Sequence, residues 1–150
     1  MIQNNRRLLS TLFFSASILM QCSPSDRKPE SSQRAEIRFD QYYVQGKLLY
    51  LVHCANCHGR EGEGLQQLIP PLAQSNYLLS NIEKTVCIIS KGLNDEIEVN
   101  GVKFSQPMPP HDDLRILEIA EIITYISNSW GASSGIFSAK RVENLSSACQ

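Results

Sequence analysis

The feature that most constrains this chain is a pair of cysteines followed by a histidine at residues 54–58, in the pattern Cys-x-x-Cys-His. Such a pair is open to several interpretations. Half of a structural zinc site would need further ligands, and no second closely spaced pair follows. A thioredoxin-type redox pair lies between a strand and a helix of an α/β domain, whereas these residues follow a predicted helix and precede a glycine-rich loop.

Covalent attachment of haem is the interpretation that uses all three side chains. Cys54 and Cys57 are spaced so that each thiol can bond to one vinyl group of a haem. The imidazole of His58 is then held beneath the iron as the proximal ligand. Because these few residues supply both covalent bonds and one iron ligand, the motif predicts a single covalently bound haem c.

The iron of such a haem takes a second axial ligand from the opposite side, often a methionine thioether. The chain has three methionines, two of them within the first 20 residues. Met108 is the only one left if the leader is removed, and it stands among three prolines that hold the backbone extended. We therefore predict Met108 as the distal ligand. His111 is the alternative, and His53 is less suited because it directly precedes Cys54.

Two predicted helices frame the motif. The first covers residues 39–52, with Asp40 as its N-cap, and it contains Gly46, which costs about 1 kcal/mol relative to alanine inside a helix. Close approach of another backbone would explain that glycine. The second is opened by Asp112 and Asp113 and closed by Gly131, and its many apolar residues are predicted core. A short helix at 81–90 and a turn before a strand-like segment at 102–104 lie between them.

The N-terminus has the pattern of an export signal. In residues 1–21, two arginines precede an apolar run at 8–20, which is shorter than a membrane span of about 20 residues. Leu19 stands three places before Cys22, which resembles the lipobox of bacterial lipoproteins and predicts a lipid anchor on Cys22. The alternative is an ordinary cleavage site and a soluble periplasmic protein. Residues 22–38 are polar and contain prolines, and they are predicted to form a flexible tether.

Charge excludes one class of partner. The chain has 14 basic and 15 acidic side chains, and removal of the leader takes away two arginines and no acid. Nucleic acid is not an expected partner, because no basic surplus exists to neutralise phosphates. The length of 150 residues suits one compact domain, which we place at residues 39–131.

Residues 40–131 resemble a class I cytochrome c. The resemblance implies an all-α fold in which N- and C-terminal helices pack together around one covalently bound haem. In that family a glycine and an aromatic residue before the first haem cysteine pack against an aromatic residue of the C-terminal helix, and the matching positions are Gly46, Tyr50 and Tyr125. The family's proline whose carbonyl accepts a hydrogen bond from the proximal imidazole matches Pro70. The lysine-rich face of the mitochondrial form is lacking.

The resemblance implies transfer of single electrons, with His58 and Met108 as axial ligands and without catalysis by the chain itself. We expect a protein on the periplasmic side of a bacterial membrane, anchored through Cys22, that serves a periplasmic dehydrogenase or a terminal oxidase. The competing hypothesis is a haem enzyme or redox sensor with an open or displaceable sixth iron position.

Two cysteines have no role in this scheme. Cys87 and Cys149 remain once Cys22 and the haem pair are assigned, and exported proteins seldom keep free thiols. We predict a disulfide between them, which would tie the C-terminal extension at 132–150 to the domain. The alternative is a buried thiol at Cys87 and a free chain end at Cys149.

Overall fold

The computed structural model describes residues 29–149 and contains six helices and one β-hairpin in that range. The elements in chain order are α1 (Glu30–His53), α2 (Ala55–His58), α3 (Asn76–Ser80), α4 (Ile82–Lys91), β1 (Ile97–Val99), β2 (Val102–Phe104), α5 (Ile116–Ile126) and α6 (Ala139–Ser146). The two strands pair antiparallel, with Val99 opposite Val102. The architecture is that of the predicted class I cytochrome c fold, which is confirmed.

Packing of α1 against α5 forms the centre of the fold. Gly46 lies at the crossing, where a Cβ atom would stand 2.9 Å from Cβ of Tyr125 and closer still to the backbone of Glu121. Tyr50 is fully buried, and its ring centroid is 5.3 Å from that of Tyr125. The glycine predicted to permit close approach of a second backbone does so in the structure.

Helix α1 begins earlier than predicted. Its first residue is Glu30, directly after Pro29, so the predicted N-cap at Asp40 lies inside the helix. The predicted flexible tether over 22–38 is therefore wrong for residues 30–38, which are helical. Once the C-terminal half of α1 is fixed by packing, each added residue gains a backbone hydrogen bond without a new nucleation step. An ion pair between Glu30 and Arg34 supports the first turns.

Residues 1–28 and 150 lie outside the described part of the chain. The predicted signal peptide, Cys22 and the first part of the predicted tether fall among them. Within residues 29–149 no helix combines the length and the apolar character that crossing a membrane requires.

Helix α5 is shorter than predicted at both ends. Arg115 rather than Asp112 or Asp113 is its N-cap, and its backbone N–H donates to the Glu118 carboxylate at 2.8 Å. The helix ends at Ile126 rather than near Gly131. Polar side chains directly after it bond back to the last turn, which competes with further helix. They are Asn128, donating to the carbonyl of Thr124 at 2.7 Å, and Ser129, donating to that of Tyr125 at 2.7 Å.

The C-terminal extension packs onto the domain. Phe137 and Val142 are buried, and α6 contacts both α4 and α5. The backbone N–H of Phe137 donates to the hydroxyl of Thr124 at 3.0 Å. In the structure Cys87 on α4 and Cys149 form a disulfide. The extension is thus part of the core rather than a free tail.

Candidate haem-binding site

The motif follows α1 without a loop. Cys54 separates α1 from α2, so the chain turns directly from the packed helix into the short helix that carries Cys57 and His58. Both thiols are free, and both line one cavity. Burial, and then the neighbouring Cys57, raise the pKa of Cys54 to about 12, so its thiol is protonated. Two free thiols at one cavity wall suit addition to the two vinyl groups of one haem.

His58 is buried and held in one orientation. Its Nδ1 lies 3.0 Å from the carbonyl oxygen of Pro70, an acceptor, so Nδ1 carries the proton and donates. Burial lowers the pKa of His58 further than this hydrogen bond raises it, which keeps the imidazole neutral. A neutral imidazole that donates through one nitrogen offers the lone pair of the other, Nε2, to a metal. The structure thus brings His58 and Pro70 together in the arrangement of an oriented metal ligand.

The cavity beside the motif has mostly apolar walls. Its aliphatic and aromatic lining includes Leu68, Leu72, Leu78, Ile89, Phe104 and Ile122. A largely apolar pocket with a few convergent polar groups is the usual form of a cofactor site. Two thiols, an oriented neutral imidazole and a thioether converge on these walls, and this donor set fits a haem c.

Met108 reaches the cavity from a loop held in place by backbone contacts. The N–H of Met108 donates to the carbonyl of Leu93 at 2.8 Å, and the N–H of Leu93 donates to that of Met108 at 2.9 Å. A Cβ atom on Gly92 would stand 3.0 Å from the nitrogen of Pro110, so this glycine lets the loop pack closely. Sequence reasoning missed the roles of Leu93 and Gly92. The one signal in the sequence for these roles was that Gly92 follows the predicted helix at 81–90.

The two other histidines also lie at this cavity. His53 and His111 both line it, and their rings meet edge to face with centroids 6.0 Å apart. The backbone N–H of His111 donates to the carbonyl of Ile89 at 2.9 Å. All the candidate axial ligands therefore surround a single cavity.

The geometry does not favour the other two interpretations of the cysteine pair. Among residues 29–149, no group of three or more His, Cys, Asp and Glu side chains is arranged to hold a metal ion, so a zinc site lacks its remaining ligands. The pair lies at the junction of α1 and α2, with Cys57 inside α2, and not between a strand and a helix, which is unlike a thioredoxin-type site.

Aromatic side chains fix the loop that follows the motif. The hydroxyl of Tyr50 donates to the carbonyl of Gly59 at 2.6 Å. Trp130 lies against Gly62, where a Cβ atom would stand 2.8 Å from the indole ring, and its ring centroid is 5.7 Å from that of Tyr125. The contact between Trp130 and Gly62 joins the end of α5 to this loop. It was not predicted from the sequence, because the two residues are far apart in the chain.

A family model of cytochrome c matches residues 43–130, more than half of the chain. The chain belongs to the cytochrome c family. Membership implies one covalently bound haem c and a role in electron transfer. The matched range contains the haem motif, the cavity and Met108, whereas the first part of α1 and the α6 extension lie outside it.

Relatives of this cytochrome c include a cytochrome c-552 and the cytochrome c subunits of quinone alcohol dehydrogenases. Cytochrome c-552 of Thermus thermophilus is 30% identical over 111 residues, which cover 68% of this chain and 84% of that protein. The cytochrome c subunit of a quinone alcohol dehydrogenase from Gluconacetobacter polyoxogenes is 30% identical over 90 residues, which cover 59% of this chain but only 19% of that subunit.

Proposed function

We propose that this cytochrome c is an exported, lipid-anchored carrier of single electrons, with His58 and Met108 as the axial ligands of its haem iron. The observation that carries the proposal is that Met108 lines the same cavity as His58 and both haem cysteines. When bound, the haem supplies a one-electron iron couple, and a methionine ligand raises its reduction potential.

The residues of the chain have distinct tasks in this proposal. Cys54 and Cys57 form the thioether bonds, and His58 binds through Nε2 while its Nδ1–H donates to Pro70. The backbone pairing with Leu93 keeps the methionine loop against the cavity. A methionine held in this way favours electron transfer over haem enzyme chemistry or sensing, because those functions need an open or displaceable iron position.

The proposed redox partner is a periplasmic dehydrogenase or a terminal oxidase. Similarity to cytochrome subunits of quinone alcohol dehydrogenases supports the first of these. Residues 29–149 carry 10 basic and 14 acidic side chains, so docking through a positive ring around the haem is not expected. Co-purification from native membranes identifies the partner, and recovery of the holoprotein without any redox enzyme counts against a stable complex.

Substitution of the two rival ligands tests the axial assignment. In Met108→Ala we expect intact covalent haem, a lower reduction potential and binding of carbon monoxide to the ferrous protein, because a thioether ligand has been removed. The weak far-red absorption band that marks sulfur ligation of ferric haem should disappear. His111→Ala is the matched control and should keep both the band and the potential. The opposite pattern would assign the ligand role to His111.

Detergent phase separation of the mature protein tests the anchor. The wild-type protein should enter the detergent phase, and Cys22→Ser should remain in the aqueous phase. A wild-type protein that stays in the aqueous phase would instead be a soluble periplasmic carrier.

A further inference from the structure

Helix α1 exposes a line of aliphatic side chains to solvent. The exposed fractions are 51% for Ile37, 57% for Val44, 54% for Leu48 and 74% for Val52. We call these four residues the outer face of α1. Single exposed apolar residues are ordinary on protein surfaces, but an aligned set on one helix indicates a contact surface.

The four side chains form one stripe. At about 100° per residue they fall within a sector of about 80°, and they extend over about 22 Å of the helix. Gly46, which faces α5, lies on the opposite side of α1 from Ile37. Between Ile37 and Val52 the only other side chain in this sector is Gln41, so the stripe carries no charge. It is therefore separate from the face that packs into the domain.

The predicted lipid anchor stands close to this face in the sequence. Seven residue steps separate Cys22 from Pro29, the residue before α1. A fully extended chain of seven residue steps spans at most about 25 Å. A lipid on Cys22 would therefore hold the start of α1 within that distance of a bilayer. So short a connection keeps the local concentration of membrane surface around the helix high.

We infer that the outer face of α1 lies on the surface of the lipid bilayer in which the Cys22 lipid is inserted. The inference rests on the proposed lipidation. Apolar area that is buried at the bilayer surface adds to the membrane binding that a lipid anchor provides. An uncharged aliphatic stripe suits the boundary between headgroups and acyl chains. A second copy of the chain could also cover the stripe, but the anchor keeps only the bilayer permanently within reach.

This contact fixes the orientation of the electron-transfer domain. Val52 stands two residues before Cys54, so the stripe ends beside the haem attachment point. With α1 lying along the membrane, the start of the haem motif stays near the bilayer surface. Such an orientation suits a redox partner that is held in the same membrane.

Spin labels on the ferrous holoprotein test the inference. The full-length lipoprotein is reconstituted into vesicles of phosphatidylethanolamine and phosphatidylglycerol, with a label at Leu48→Cys. The matched control carries the label at Leu79→Cys, where the wild-type side chain is 48% exposed on α3. Accessibility is measured to oxygen, which partitions into lipid, and to a water-soluble nickel chelate. We expect the ratio of oxygen to nickel accessibility to be several-fold higher at position 48 than at position 79.

Each other outcome overturns the inference in a distinct way. Equal nickel accessibility at both positions in vesicle-bound protein would show that the domain stands off the membrane, and the lipid anchor would still hold. Dipolar broadening between labels at position 48 would show that a second copy covers the stripe. A wild-type protein that does not enter vesicles at all would overturn the proposed anchor and this inference together.

Discussion

The crossing of α1 and α5 makes Gly46→Ala an informative substitution. Helix propensity alone predicts a gain, since alanine stabilises a helix interior by about 0.5–1 kcal/mol relative to glycine. The structure predicts the opposite. The new methyl group would stand 2.9 Å from Cβ of Tyr125 and would collide with the backbone of Glu121. Backbone atoms cannot rotate away, so α5 as a whole has to move.

The size of the effect follows from that displacement. Ordinary carbon contacts lie near 3.5–4.0 Å, whereas the new methyl group would stand 2.5 Å from the carbonyl carbon of Glu121, so α5 has to retreat by roughly 1–1.5 Å. A gap of that width removes about half or more of the dispersion energy of each contact across it. Overpacking typically costs about 1–3 kcal/mol, and a collision with backbone atoms places this substitution at about 3 kcal/mol, the upper end of that range. With the gain in helix propensity subtracted, we expect a net loss of about 2 kcal/mol, or a melting temperature lower by roughly 8 °C for a domain of this size.

Thermal unfolding of the holoprotein, followed by far-ultraviolet circular dichroism, measures the loss. Gln45→Ala is the matched control, because it changes an exposed neighbour on the same helix and should alter stability by no more than about 0.5 kcal/mol. A Gly46→Ala protein as stable as the wild type, or more stable, would show that helix propensity decides this position. Close approach of the two helices would then not restrict this position to glycine.

Three further substitutions probe the haem site and the extension. Alanine at both Cys54 and Cys57 should abolish haem staining on a denaturing gel, and a stained band would contradict covalent attachment. Cys149→Ser opens a link between residues 62 positions apart, which should lower the free energy of unfolding in denaturant by about 4 kcal/mol; an unchanged midpoint would contradict this. Gly92→Ala should push the Met108 loop aside and lower the reduction potential while attachment stays intact, and an unchanged potential would contradict the role of Gly92.

Local sequence patterns were sufficient to predict a feature when all of its residues lie in one short segment. The haem motif lies within five residues, and the apolar residues of α5 identify it as a core helix. Gly46 was predictive for a different reason. A glycine inside an otherwise good helix needs an explanation, and a close tertiary contact is the common one.

The first turns of α1 show where local patterns fail. Residues 30–38 are polar and lack an apolar period, which is the signal used to predict a helix. They are helical because a packed helix follows them, so the cause lies outside the segment. The end of α5 was also predicted wrongly, because side chains that follow the helix compete with it for hydrogen bonds. Gly131 was the predicted end of the helix, but Asn128 and Ser129 bond back to the preceding turn and end the helix earlier.

Contacts between segments distant in the chain explain the parts of the site that were not predicted. Sequence reasoning selected Met108 by elimination, but what holds it at the cavity is its backbone pairing with Leu93, which no local pattern encodes. Trp130 likewise packs against Gly62, which lies in the loop after the haem motif and far from Trp130 in the chain. A candidate iron ligand can therefore be selected from residue chemistry, whereas its position is set by the fold. Because of this, Gly92→Ala, which retains every proposed ligand residue but displaces the loop that carries Met108, is expected to alter the reduction potential.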